Sequence, residues 1–71
     1  MYTVYSTDSC SFCDKAIDAL KRHGLEFNKV DITADVKALE FMKENGFRTV
    51  PQIYHNDEHI GGYTELMQSL T

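Results

Sequence analysis

The chain has 71 residues, eleven acidic against seven basic side chains, a net charge of −4 and only two cysteines. That length is read as one small domain, residues 1–71, short of the size at which an apolar core comfortably stabilises itself. Scattered basic residues in an acidic chain speak against nucleic acid, whose affinity draws on phosphate neutralisation. No segment approaches the roughly 20 apolar residues of a membrane span, and the start lacks the basic-then-apolar pattern of a leader, so a cytoplasmic protein is expected.

Tyr2 to Ser6 is the first predicted strand. Cys10-Ser11-Phe12-Cys13 follows it directly. Two cysteines three apart close too small a loop to staple a fold, so they are read as chemical rather than structural. A thiol at a helix start faces unpaired backbone N–H groups and the positive end of the macrodipole, both of which favour the thiolate that attacks a disulfide. Cys10 is therefore the expected nucleophile, and Cys13, one helical turn away, the thiol that displaces the mixed-disulfide partner.

From Cys13 the residues Cys13, Ala16, Ile17 and Leu20 follow helical spacing, with Gly24 as the stop. Glu26 to Ile32 suits a second strand parallel to the first. Thr33 or Asp35 can cap a second helix whose buried face is Val36, Ala38, Leu39, Phe41 and Met42, ending at Asn45-Gly46. Val50 to Tyr54 and Glu58 to Ile60 read as short strands joined around Asn56-Asp57. Gly61-Gly62 breaks the last strand, and Tyr63 to Leu70 is a final helix with Leu66, Met67 and Leu70 apolar. The order β-α-β-α-β-β-α predicts an α/β fold, with Tyr5, Leu39, Phe41 and Met42 in the core.

Cys-x-x-Cys together with His55 and His59 also has the composition of a zinc set. The 41 residues between Cys13 and His55 far exceed the ~12–15 of a finger, so both histidines are read as hairpin surface. Phe12 is unusually apolar for a helix first turn and stands as either a substrate rim or simple packing. Tyr63 carries the same two readings. Lys15, Lys21, Arg22 and Lys37 are read as a solvated face, although Lys15, one turn from Cys10, could offset Asp8 and Asp14.

Three segments in order, Tyr5-Ser6-Thr7-Asp8-Ser9-Cys10-Ser11-Phe12-Cys13, Arg48-Thr49-Val50-Pro51-Gln52-Ile53 and His59-Ile60-Gly61-Gly62-Tyr63-Thr64-Glu65-Leu66, together resemble a glutaredoxin, a small dithiol member of the thioredoxin-fold superfamily. The resemblance implies a four-stranded mixed sheet flanked by helices. It further implies a monomeric, metal-free thiol–disulfide oxidoreductase that uses glutathione as reductant and works at roughly −200 to −230 mV. Its partners would be disulfide-containing or glutathionylated proteins, ribonucleotide reductase among them.

Residue by residue, the resemblance makes Pro51 a cis proline opposite the dithiol and leaves the Val50 backbone free to pair with a bound thiol peptide. Thr49 and Gly62 border the same glutathione site. The N–H groups of Tyr63 and Thr64 become an anion site for the glutamyl carboxylate, with the Thr64 hydroxyl adding a donor. Arg48 would pair with the glycyl carboxylate.

The chain also departs from the pattern. Thr7-Asp8-Ser9 stands where many glutaredoxins carry Lys-Pro-Asn, so a cation near the thiolate is missing and Asp8 and Asp14 flank the dithiol instead. Like charge disfavours the thiolate, which predicts a less acidic Cys10 and weaker glutathione binding than in relatives with the lysine. That departure keeps two alternatives open: reduction by thioredoxin reductase, and, from Ser11 in place of proline, a [2Fe–2S] cluster bridged between two chains with glutathione as extra ligand.

Overall fold

Strict alternation governs β1 (Tyr2–Ser6), where Tyr2, Val4 and Ser6 are buried and Thr3 and Tyr5 are half-buried on the opposite side. The computed structural model describes residues 1–71. It makes β1 a central strand, parallel to β2 (Phe27–Asp31) and antiparallel to β3 (Gln52–His55), with β4 (Glu58–Gly61) antiparallel on the outer edge. The order β2-β1-β3-β4 is the mixed four-stranded sheet the resemblance implied.

Helix α1 (Ser11–Arg22) and helix α3 (Tyr63–Leu70) cover one face. There Tyr2, Val4, Ala16, Leu20, Ile53 and Leu66 form the main hydrophobic core. The periodicity placed the start of α1 at Cys13, but it begins at Ser11, because Cys10 itself is the N-cap and Ser11 and Phe12 lie off the buried face that the periodicity traces. Its end comes where expected, with His23 as C-cap and Gly24 at φ 67°, a left-handed position that glycine takes without strain.

Helix α2 (Val36–Glu44) covers the other face. Of the two predicted caps, Asp35 does the work, its carboxylate accepting from the Ala38 N–H at 3.1 Å, whereas Thr33 bonds the Asp31 carboxylate. Ala38 and Met42 are buried and Leu39 and Phe41 half-buried, but Val36, expected on that face, is 71% exposed. Two residues before Ala38 is about 200° around the helix, which turns Val36 to water. Tyr5, likewise expected in the core, is half-buried against Phe41 and Tyr54.

The third strand begins at Gln52 rather than Val50, since Pro51 has no N–H to give a ladder. Asn56 turns the β3–β4 hairpin at φ 56°, and α3 spans the predicted residues. None of the helices is long and apolar enough to cross a membrane.

Candidate active site

Cys10 caps α1 from extended backbone, and its sulfur accepts the Cys13 N–H at 3.1 Å. The two cysteines are joined as a disulfide with Cα atoms 5.2 Å apart. Their exposures differ: Cys13 is 1% exposed beneath the helix, whereas Cys10 is half-buried and accessible at its start. Once the bond is reduced, a thiolate on Cys10 retains that N–H donor and the helix-terminal field, which a neutral thiol would use less well. The Val50 carbonyl oxygen stands 3.7 Å from the same sulfur, on the far wall of the site.

The loop that carries this wall includes a cis Val50–Pro51 peptide, as the resemblance implied. Beside it lies a cleft of about 250 Å³ lined by Phe12, Thr49, Val50, Pro51, Gly62, Tyr63, Thr64 and Glu65. The chain's fold thus gathers Thr49, Val50 and Pro51 from the loop before β3, and Gly62, Tyr63 and Thr64 from the start of α3, around one cleft. Arg48 stands apart from them. It lines a second cleft of about 230 Å³ with Thr7, Ile32, Leu39, Met42, Lys43 and Phe47, and only Thr49 and Val50 border both clefts.

Phe12 is 53% exposed and its ring centroid is 5.8 Å from that of Tyr63, so the two aromatic side chains form one rim between the starts of α1 and α3. Lys15 is exposed, as a solvated face requires, and lays its Nζ 4.9 Å from the Phe12 ring centre. Asp8 is turned toward Asp31 at the end of β2: the hydrogen bond that its protonated carboxyl donates to the Asp31 carboxylate, then the charge of that carboxylate, raise Asp8 above the ordinary value. Asp31 is held below its ordinary value by the hydroxyl and N–H of Thr33, at 2.5 and 2.9 Å.

Glu65 was not foreseen. Its Oε1 accepts the Gly62 N–H at 2.7 Å and folds over the double glycine, where a Cβ on Gly61 would meet the Glu65 Cγ at 2.8 Å. Gly61 also has φ 126°, so the turn tolerates only glycine there. A glutamate three residues after a helix N-cap is a readable signal for this bond. Tyr63 and Thr64 line the cleft, and as first-turn residues of α3 their N–H groups have no partner within the helix.

The two histidines lie on the hairpin as expected: His55 stacks on Tyr2 at 4.3 Å, and His59 bonds Gln52. Nowhere do three His, Cys, Asp or Glu side chains converge in the way a metal site needs.

The glutaredoxin family model matches residues 2–60. A Synechocystis sp. protein named "Probable glutaredoxin" is 42% identical over 65 residues, covering 89% of this chain and 74% of that protein. Glutaredoxin 3 of Escherichia coli is 34% identical over 64 residues, covering 89% of this chain and 77% of its own length.

The chain belongs to the glutaredoxin family.

Like its homologues it is a thiol–disulfide oxidoreductase, with the Cys-x-x-Cys pair at the required place. Solved structures agree on the fold of this glutaredoxin. The NrdH-redoxin of Escherichia coli superposes with a TM-score of 0.84 at 23% identity, over 97% of this chain and 91% of that one. A buckwheat glutaredoxin–glutathione complex gives 0.82 at 20% identity, over 97% of this chain and 66% of the buckwheat chain.

Proposed function

We propose that the chain is a cytoplasmic, monomeric, glutathione-dependent reductase of protein disulfides and glutathione mixed disulfides. The observation that carries this reading is the unequal exposure of the two sulfurs next to an open cleft: Cys10 accessible at the helix start, Cys13 1% exposed behind it. The Cys10 thiolate attacks one sulfur of the substrate disulfide and expels the other as a thiolate. Cys13, once deprotonated, then attacks the Cys10 sulfur, releases the second substrate thiol and leaves the Cys10–Cys13 disulfide. Two glutathione thiols return both electrons and leave as glutathione disulfide. With a glutathionylated substrate, Cys10 alone suffices and a second glutathione releases the product.

In this reading the Val50 backbone pairs with the thiol peptide beside Pro51, flanked by Thr49 and Gly62. The N–H groups of Tyr63 and Thr64 and the Thr64 hydroxyl take the glutamyl carboxylate. Arg48 takes the glycyl carboxylate by way of the border residues Thr49 and Val50. Ribonucleotide reductase is the proposed protein target among disulfide partners.

The test couples a glutathionylated small disulfide to glutathione, glutathione reductase and NADPH. Cys10→Ser is expected to abolish turnover, and Cys13→Ser to retain it on glutathionylated substrates while losing protein disulfides. Full turnover in Cys10→Ser would sink the mechanism.

A second reading, thioredoxin reductase as electron donor, is favoured by two features: Glu65 sets a carboxylate at the start of α3 where glutathione would place its own, and no cation stands at Thr7-Asp8-Ser9. Turnover with thioredoxin reductase and none with glutathione would decide for it. A bridging [2Fe–2S] cluster would draw one accessible thiolate, Cys10, from each of two chains and the remaining ligands from glutathione. Anaerobic purification separates that case, since a cluster carrier would elute as a coloured dimer.

A further inference from the structure

Only two polar residues, Ser6 and Gln52, are buried in this chain. Gln52 directly follows the Val50-Pro51 wall of the active site. Its Nε2 lies 3.0 Å from the Thr49 carbonyl oxygen and 3.2 Å from the Thr49 Oγ1, and its Oε1 lies 2.8 Å from the His59 Nε2. A backbone carbonyl only accepts, so the amide nitrogen must face Thr49 and the amide oxygen must face His59. The network therefore fixes the histidine: its proton sits on Nε2, donating to Gln52.

The imidazole is held a second time. It stacks on Phe47 with ring centres 4.7 Å apart and an interplanar angle of 24°, and meets Tyr54 at 5.0 Å. Phe47 and Thr49 both belong to the connection between α2 and β3. One side chain on the outer strand thus grips that connection at two points, by its ring on Phe47 and through Gln52 on Thr49. His59 itself lines neither cleft of the active site.

We infer that His59, acting through Gln52, is a positioning residue that sets the Thr49-Val50 segment at the distance from Cys10 that an incoming disulfide peptide requires. The inference rests on the reading of Val50 as the residue that pairs with the substrate. The Val50 carbonyl stands 3.7 Å from the Cys10 sulfur, so a small drift of the segment changes the width of the slot a substrate sulfur must enter. Gln52 also uses a lone pair of the Thr49 hydroxyl, which leaves the hydroxyl proton free to donate to a bound peptide. The hydrogen bond and the ring contact are separable, and that makes the role testable.

His59→Phe keeps a ring against Phe47 and Tyr54 but has no donor for Gln52, whereas His59→Gln restores an amide N–H near the place of Nε2. The assay is reduction of insulin disulfides with dithiothreitol as electron donor, so that the identity of the natural reductant does not enter. His59→Phe is expected to raise KM about fivefold with kcat kept within about twofold, the size of one hydrogen bond at about 1 kcal/mol. His59→Gln should return KM close to wild type. Nitrogen-15 NMR of the wild type should show the Nε2–H tautomer at neutral pH.

An unchanged KM in His59→Phe, with active wild type, overturns the positioning role and leaves the Cys10 mechanism standing. A wild type that reduces no disulfide overturns both. Should His59→Phe melt below the assay temperature, the tautomer decides, because an Nδ1–H imidazole would contradict the proposed network.

Discussion

The two faces of the sheet are built from the same four strands but to different ends. Against α1 and α3 the chain packs the aliphatic Val4, Ala16, Leu20, Ile53 and Leu66, each at zero exposure, with Tyr2 beside them at 9%. Against α2 it packs Tyr5, Phe41, Phe47 and Tyr54, half-buried aromatic rings with centroids about 5 to 6.5 Å apart, and His59 joins them from the edge. Close-packed aliphatic burial stabilises the fold, since nearly all of its area leaves water. The aromatic face recovers less burial but carries polar tips that reach partners, and through His59 and Gln52 it connects to the wall of the active site. One face therefore supplies most of the dry aliphatic burial, and the other reaches, through His59 and Gln52, the loop that carries Thr49 and Val50.

That contrast is open to direct attack. Leu20→Ala, in the aliphatic core, should lower unfolding free energy by about 3 kcal/mol in urea titration, whereas Phe41→Ala on the α2 face should lose about 1.5 kcal/mol because much of the ring is already wet. Equal losses would erase the distinction between the faces. Asp35→Ala removes the N-cap of α2 and should cost about 1 kcal/mol, with Ala38 amide protection falling in hydrogen exchange. A loss that left α2 exchange untouched would mean that the helix is held by its aromatic contacts rather than its cap.

Alkaline titration sharpens the same comparison. Burial, then the charges of Tyr54 and Asp35, raise the Tyr5 hydroxyl above its ordinary pKa of 10.0. A raised acid holds its proton more tightly when folded, so this contribution is complete below pH 10 and is lost as pH rises through the folded value. Stability should therefore fall in strong alkali, and Tyr5→Phe should flatten that fall. A wild-type profile unchanged by the substitution would remove Tyr5 as its cause.

The smallest effect lies at the ends of β1 and β2. Asp8, raised by Asp31, favours folding at low pH and loses that contribution as pH rises, while Asp31, lowered by Thr33, contributes at higher pH and loses it on acidification. Both are exposed and opposed in sign, so stability should hardly move. Carboxyl NMR titration should nevertheless place Asp8 above and Asp31 below the ordinary 3.8. Asp8→Lys should increase the thiolate fraction of reduced Cys10 at a given pH, read as alkylation rate; a slower rate would assign the charge near the sulfur to other groups.

Much of this was legible in the residues. The apolar run Tyr2–Ser6 announced the first strand, helical spacing announced α1, and Tyr63–Leu70 was bounded correctly because Gly61-Gly62 interrupts one period and starts another. Val36 misled because apolarity marks what could be buried, while the angle around the helix decides what is. His59 is exposed on the hairpin, as read, but its contacts were not legible because Phe47 and Gln52 are twelve and seven positions away in the chain. Gln52 itself carried a signal, a polar residue inside an apolar run, but nothing local says which way its amide points.

By itself the sequence determined the order of elements, the chemistry of Cys10 and Cys13 and the segments able to meet them, because periodicity, turn residues and a helix-terminal thiol act over a few residues. Only the tertiary structure decided which sulfur is open and which is shielded. It also decided that Arg48 lines a different cleft from Tyr63 and Thr64, that Glu65 fills the glycine turn, and that an edge histidine bonds the Gln52 amide that holds Thr49. Those outcomes depend on contacts between distant positions, where burial and hydrogen-bond geometry are set by the packing of whole elements rather than by any local pattern.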